Sequence, residues 1–207
     1  MVTVSARDWW DQFLQHVQDD DRAAPLKQAS LAENLTDWTR LTTETVVRSC
    51  KSLGWETAAR GHRLNRLPES ASEYLALDAM AFPSRENSDA RWPLPLAVFE
   101  LENNPRDDRV GYSLWKVLCV RAPLRIVYAY RSDWDRTRDL MDYLANEVVG
   151  SLSPAERVAL GGEIAVVEKV RRFHTAISSS GCWTRTSGNL IGFESVQQDR
   201  RKPKWQN

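Results

Sequence analysis

EYLALDAMAF (residues 73–82), LPLAVFELENN (94–104), DDRVGYSLWKVLCVRA (107–122) and LRIVYAYR (124–131) decide the fold of this 207-residue chain. Read by period they are strand, strand, helix and strand. The first is apolar on both faces, as in the middle of a covered sheet, and its pleat places Tyr74, Ala76, Asp78, Met80 and Phe82 together. In the second, Leu96, Val98, Glu100 and Glu102 point one way and Ala97, Phe99 and Leu101 the other. The two glutamates then stand one pleat apart, about 7 Å along the strand. The helix is apolar nearly all round, apart from a stripe of Arg109, Tyr112, Ser113 and Lys116. Asp78, Glu100, Glu102 and Lys116 therefore lie where burial is expected. Buried unpaired charge costs several kcal/mol, so such groups pair with one another or hold a metal.

Outward from this stretch the signals are helical before it and mixed after it. Ser5 with Asp8 opens a helix to Val17, with Trp9, Trp10, Phe13, Leu14 and Val17 on one face. Asp19, Asp20, Asp21 and Pro25 read as a solvated loop that breaks it, and Ser30 with Glu33 opens a second short helix. A third helix, 42–53, ends at Gly54, with Glu44 off its apolar face and Arg48 four residues on as its expected partner. A strand follows around 56–60. Beyond Arg131, Ser132 and Asp135 cap a helix that stops at Gly150, and Ser153, Pro154 and Glu156 start a shorter one. Residues 163–170 read as a strand, and 182–186 with 190–196 as a hairpin. The expected fold is α/β, a mixed central sheet with flanking helices. It divides into a helical lead (1–41), a core (42–131), a helical and hairpin extension of the same domain (132–196) and a basic flexible tail (197–207).

Composition narrows the function. Formal net charge is zero, which argues against a histone-like binder that depends on a general positive field. Cys50, Cys119 and Cys182 lie far apart without ligand spacing, and read as buried free thiols in a reducing cytoplasm. The three histidines read as isolated, with no Ser/His or Cys/His pairing. Glycine-rich phosphate loops and a G-x-S-x-G elbow are absent, which removes support for nucleotide-cradle and serine-hydrolase chemistry. No apolar run approaches the roughly 20 residues of a membrane span, so a cytoplasmic protein with no membrane partner is expected.

Two carboxylates on neighbouring strands, with a carbonyl and waters, make an oxygen-rich octahedral site suited to Mg²⁺ or Mn²⁺. Such an ion activates water and stabilises charge in phosphodiester hydrolysis; Glu102, on the face of Glu100, is expected as a further ligand or to orient the water, and Lys116 to add positive charge to the transition state.

The order of elements resembles the PD-(D/E)xK, or restriction-endonuclease-like, nuclease superfamily. The resemblance rests on Glu44 in a helix, Asp78 in a strand, Glu100-Leu101-Glu102 in the next and Lys116 in the following helix, within 42–131. Leu77 stands at the motif's Pro and Glu102 at its Lys, and Lys116 fits members whose lysine has moved to that helix. The resemblance implies an αβββαβ core and a Mg²⁺-dependent nuclease acting on nucleic acid, DNA before RNA. Asp78, Glu100 and the Leu101 carbonyl would then bind metal, and Glu44 would match the acid of the first core helix. Arg109 and Tyr112 either extend the site towards a phosphate or lie on a wet helix edge. A homodimer or a larger nuclease complex is the assembly open to such a domain.

Overall fold

The computed structural model describes residues 5–69, 73–88, 90–131, 133–170, 181–186 and 189–195. Three helices lead: α1 (Ala6–Gln18), α2 (Asp20–Leu31) and α3 (Leu35–Ser52). They are followed by β1 (Trp55–Ala59), β2 (Ala79–Pro83), β3 (Ala97–Leu101), α4 (Asp107–Leu118) and β4 (Leu124–Arg131). Then come α5 (Trp134–Tyr143), a π-helical extension (Leu144–Val149), α6 (Pro154–Leu160) and β5 (Glu163–Val170). The hairpin β6 (Gly181–Thr186) and β7 (Asn189–Ser195) completes the described chain; the basic tail lies outside the described residues.

Strands β1 to β5 form a mixed sheet in sequence order, which the hairpin extends beyond β5. β2 runs antiparallel to both β1 and β3, whereas β3, β4 and β5 are parallel. The pleat sorts side chains between two layers. Ala79, Ala81, Phe99, Ile126 and Tyr128 pack with Trp9, Phe13, Trp38 and Val46 of α1 and α3. Met80, Phe82, Val98, Val127 and Ala129 pack with Val110, Leu114 and Val117 of α4 and Leu140 of α5. Helices thus cover both faces, and the expected α/β class is met. No helix among the described residues is long and apolar enough to cross a membrane.

Several local expectations need correction. The acidic run is not a loop: Asp19 is the residue at the junction of α1 and α2, and Asp20 and Asp21 occupy the first turn of α2. Acids there meet the positive end of the helix dipole, and Asp21 also pairs with Arg48 at 2.9 Å. Pro25 is accommodated inside α2. Ser30 and Glu33 open no helix; Glu33 has φ +54°, and Asn34 caps α3 eight residues before Thr42. Gly54 does end α3 as expected, at φ +72°. Asp133, not Ser132 with Asp135, caps α5 by accepting the Arg136 N–H. The Ser153–Glu156 capping box is present as read. Cys50 is buried, but Cys119 is exposed because α4 has ended at Leu118.

The largest difference lies in the deciding stretch itself. Residues 73–82 are not one strand. Tyr74–Ala76 form a 3₁₀ turn in which Leu75 and Ala76 take φ of +54° and +53°, and β2 begins only at Ala79. Likewise β3 ends at Leu101, one residue before Glu102.

Candidate metal centre

Asp78 and Glu100 come together through strand register. Ala79 pairs with Phe99, and continuing that antiparallel register by one residue sets Asp78 opposite Glu100. Asp78 is not in a strand face, as expected from sequence, but immediately before β2. There its Oδ2 accepts the Leu101 N–H at 2.6 Å. Glu100 shares the α4 side of the sheet with Val98, and only 5% of it is exposed. Its Oε2 lies 2.7 Å from the Lys116 Nζ, which also donates to the Ala76 carbonyl at 2.6 Å. Its Oε1 is buried with no hydrogen-bond partner among the described residues.

The electrostatics follow from that burial. Desolvation, aided by the charge of Asp78, raises the Glu100 carboxyl to about 7, although Lys116 pulls the other way. Asp78 is raised too, first by burial, with Glu73 and Glu102 adding repulsion and the Leu101 N–H and Lys116 opposing it. Glu102 is turned aside. Its Oε1 accepts the Asn104 N–H at 2.8 Å and its Oε2 the Ser113 hydroxyl at 3.3 Å. Lys116 therefore pairs with Glu100, and Glu102 is tied to the loop and to α4.

The donor set suits a hard divalent cation. Two carboxylates stand opposite each other, one with an unpartnered buried oxygen, and their like charges repel until a cation joins them. In an extended strand a residue's N–H and C=O face the same neighbour, so the Leu101 carbonyl also faces the side of Asp78. Among the described residues no group of three or more His, Cys, Asp or Glu side chains is gathered for a metal. Asp78, Glu100 and the Leu101 carbonyl, a set of two side chains and one backbone oxygen, are the residues that fit one.

The other expected residues are dispersed. Glu44 of α3 is bonded to Arg22 of α2 and, at 2.8 Å, to Arg40, not to Arg48. Those cations hold its carboxyl below the ordinary value despite partial burial. Its partners among the described residues, Arg22 and Arg40, belong to the helical layer on the far face from Glu100, so Glu44 is not brought to the cluster. Arg109 and Tyr112 are exposed on α4, and Tyr112 packs against the exposed Trp115 with ring centroids 5.9 Å apart. Two residues at the same end of the sheet escaped sequence reasoning. Asn103 donates to Thr39 of α3 at 2.7 Å, and the buried Arg131 bonds Asp107 at 2.8 Å. Their partners lie 64 and 24 residues away, beyond the reach of any local pattern.

His16 is not isolated either. Its Nδ1 lies 3.1 Å from Asp19 and its Nε2 2.8 Å from Ser52. The bond order matches a hydrolytic triad. However, Ser52 is the last residue of α3, where the carbonyl end of the helix disfavours the oxyanion of acyl transfer. A tie between the ends of two packed helices accounts for it. Comparison with family models, with curated proteins and with solved structures found no match to this chain.

Proposed function

We propose that this protein is a Mg²⁺- or Mn²⁺-dependent nuclease of the PD-(D/E)xK type that hydrolyses phosphodiester bonds, in DNA before RNA. The observation that carries the reading is the register-enforced facing of Asp78 and Glu100, with Lys116 bonded to Glu100 at 2.7 Å. The element order α3-β1-β2-β3-α4-β4 supports it, because the family core is αβββαβ.

Asp78, Glu100 and the Leu101 carbonyl would hold the ion. When bound, Mg²⁺ supplies a Lewis acid for the phosphoryl oxygen and lowers the pKa of the attacking water. Lys116 pairs with Glu100 in the free protein and would meet charge on the phosphoryl group. Glu102 holds Ser113 and the turn at Asn104, and so fixes the end of β3 against α4. The test is cleavage of plasmid and linear DNA with Mg²⁺ or Mn²⁺ and with chelator. Metal-dependent cutting lost in Glu100→Ala is expected; equal cutting by both proteins under every metal would refute it.

A second reading has its own observation. Lys116 already occupies one oxygen of Glu100, and Asp78 already caps a backbone N–H. Under it the same fold serves as an inactive subunit for DNA binding or assembly. Nucleic-acid binding without metal affinity by calorimetry distinguishes that case.

A further inference from the structure

Beside the carboxylates the surface opens into a cavity of about 710 Å³, lined among others by Arg60, His62, Arg63, Tyr74 and Leu77. It belongs to the same end of the sheet as the candidate centre: Ala59 pairs with Ala79, so the turn after β1 stands next to Asp78. Arg60 is exposed and has no partner among the described residues. Among the described residues, Arg63 reaches only the equally exposed Glu69. On α4, whose Lys116 bonds Glu100, Tyr112 and Trp115 are 55% and 52% exposed and packed together, one turn and one residue before that lysine. The candidate centre thus has a cationic hollow, which also carries Glu73, at the β2 end, and an open aromatic pair on the helix whose Lys116 bonds Glu100.

We infer that these two surfaces seat a nucleic-acid strand with unpaired bases, its phosphates on Arg60 and Arg63 and a base on Trp115 and Tyr112. The inference rests on the nuclease reading and names its substrate class. Exposed rings reach base faces only where bases are not stacked within a duplex. A chain of zero net charge lacks the broad positive field on which non-specific duplex binding relies. Two local cations and two rings suit a single strand, a flap or a frayed end.

The test is fluorescence anisotropy of the full chain in chelator, with short labelled oligo(dT), oligo(U) and a duplex of equal length. Single strands should bind about ten-fold more tightly than duplex, the difference of roughly one base stack. Trp115→Ala should weaken single-strand binding by about ten-fold and leave its salt dependence unchanged. Arg60→Ala with Arg63→Ala should reduce the slope of log affinity on log salt by about 1.4. Oligo(dT) against oligo(U) separates deoxy from ribo strands. Duplex bound as tightly as single strands, or variants that bind like wild type, would overturn the inference. Cleavage is scored separately with Glu100→Ala. If nothing cuts but the Arg60, Arg63 and Trp115 effects appear, the strand seat stands and hydrolysis falls. If DNA is cut and those effects are missing, the strand seat falls alone.

Discussion

Replacing Glu100 by Gln should make the protein more stable at neutral pH, and the size of the gain follows from burial. In the unfolded chain Glu100 titrates near 4.5, and in the folded one near 7. Between those values the unfolded state has released its proton and the folded state still holds it. The folded state then binds more protons, so stability falls as pH rises through about 4.5 to 7 and levels above that. At about 1.4 kcal/mol for each pH unit crossed, ionised Glu100 costs about 3 kcal/mol by about pH 8. The side chain is only 6% exposed, so solvent screening removes little of this. Glutamine mimics the neutral carboxyl and has no such titration. Urea unfolding across about pH 4 to 8 should show the two proteins equal at the acid end and the Gln variant ahead by about 3 kcal/mol at the basic end. That is a large share of the 5–15 kcal/mol typical of a domain. Asp78, raised for the same reason, slopes the same way in both proteins and drops out of the difference to first order. Parallel profiles, or a Gln variant less stable at about pH 8, would show that Glu100 is not the desolvated carboxyl described here.

Three further outcomes follow from the same contacts. Asp78→Asn keeps an oxygen for the Leu101 N–H and removes a buried carboxyl whose pKa burial raises, so melting at neutral pH should not fall, while calorimetric Mn²⁺ binding should be lost. Lys116→Met removes a cation bonded to Glu100, and metal-activated cleavage should fall on the order of a hundred-fold in a plasmid assay. Arg125→Met removes a buried guanidinium that donates to the carbonyls of Val120, Leu160 and Gly161, tying the ends of α4 and α6 together. Unfolding in urea should show a loss of about 3 kcal/mol with Mn²⁺ binding intact.

How much of this was legible in the sequence depended on whether a property was local. The strand expected at 94–102, the helix at 107–121 and the apolar strand at 124–130 exist, as Ala97–Leu101, Asp107–Leu118 and Leu124–Arg131, because burial on a pleat or a helix face is written in the residues themselves. The order of elements around Asp78, Glu100 and Lys116 was legible for the same reason. Partner choice was not. Arg48 is four residues from Glu44, yet it bonds Asp21, and Glu44 takes Arg22 and Arg40 instead, since α2 packs on α3 and offers closer cations. Trp115 belongs to the apolar part of the 107–122 stretch, yet it stands open on α4, where the residue type alone does not reveal whether another layer covers it.

The misread strand at 73–78 is the most informative of these differences. Pairing of β2 with β3 stops at Ala79 and Phe99, so the next inward-facing N–H of β3, that of Leu101, has no strand partner. A strand running straight through Tyr74 to Phe82 would have paired it with backbone and sent the Asp78 carboxylate elsewhere. Instead, left-handed backbone at Leu75 and Ala76, which costs of order 1–3 kcal/mol at each non-glycine residue, turns the chain away. The Asp78 side chain is left to close the ladder on Leu101, and the Ala76 carbonyl is left to receive Lys116. The strain is thus spent at the position that faces Asp78 towards Glu100 and anchors the lysine that bonds Glu100. A packed strand of alanines and leucines would need none of it, which is why a chemical role for this corner explains the backbone better than packing does.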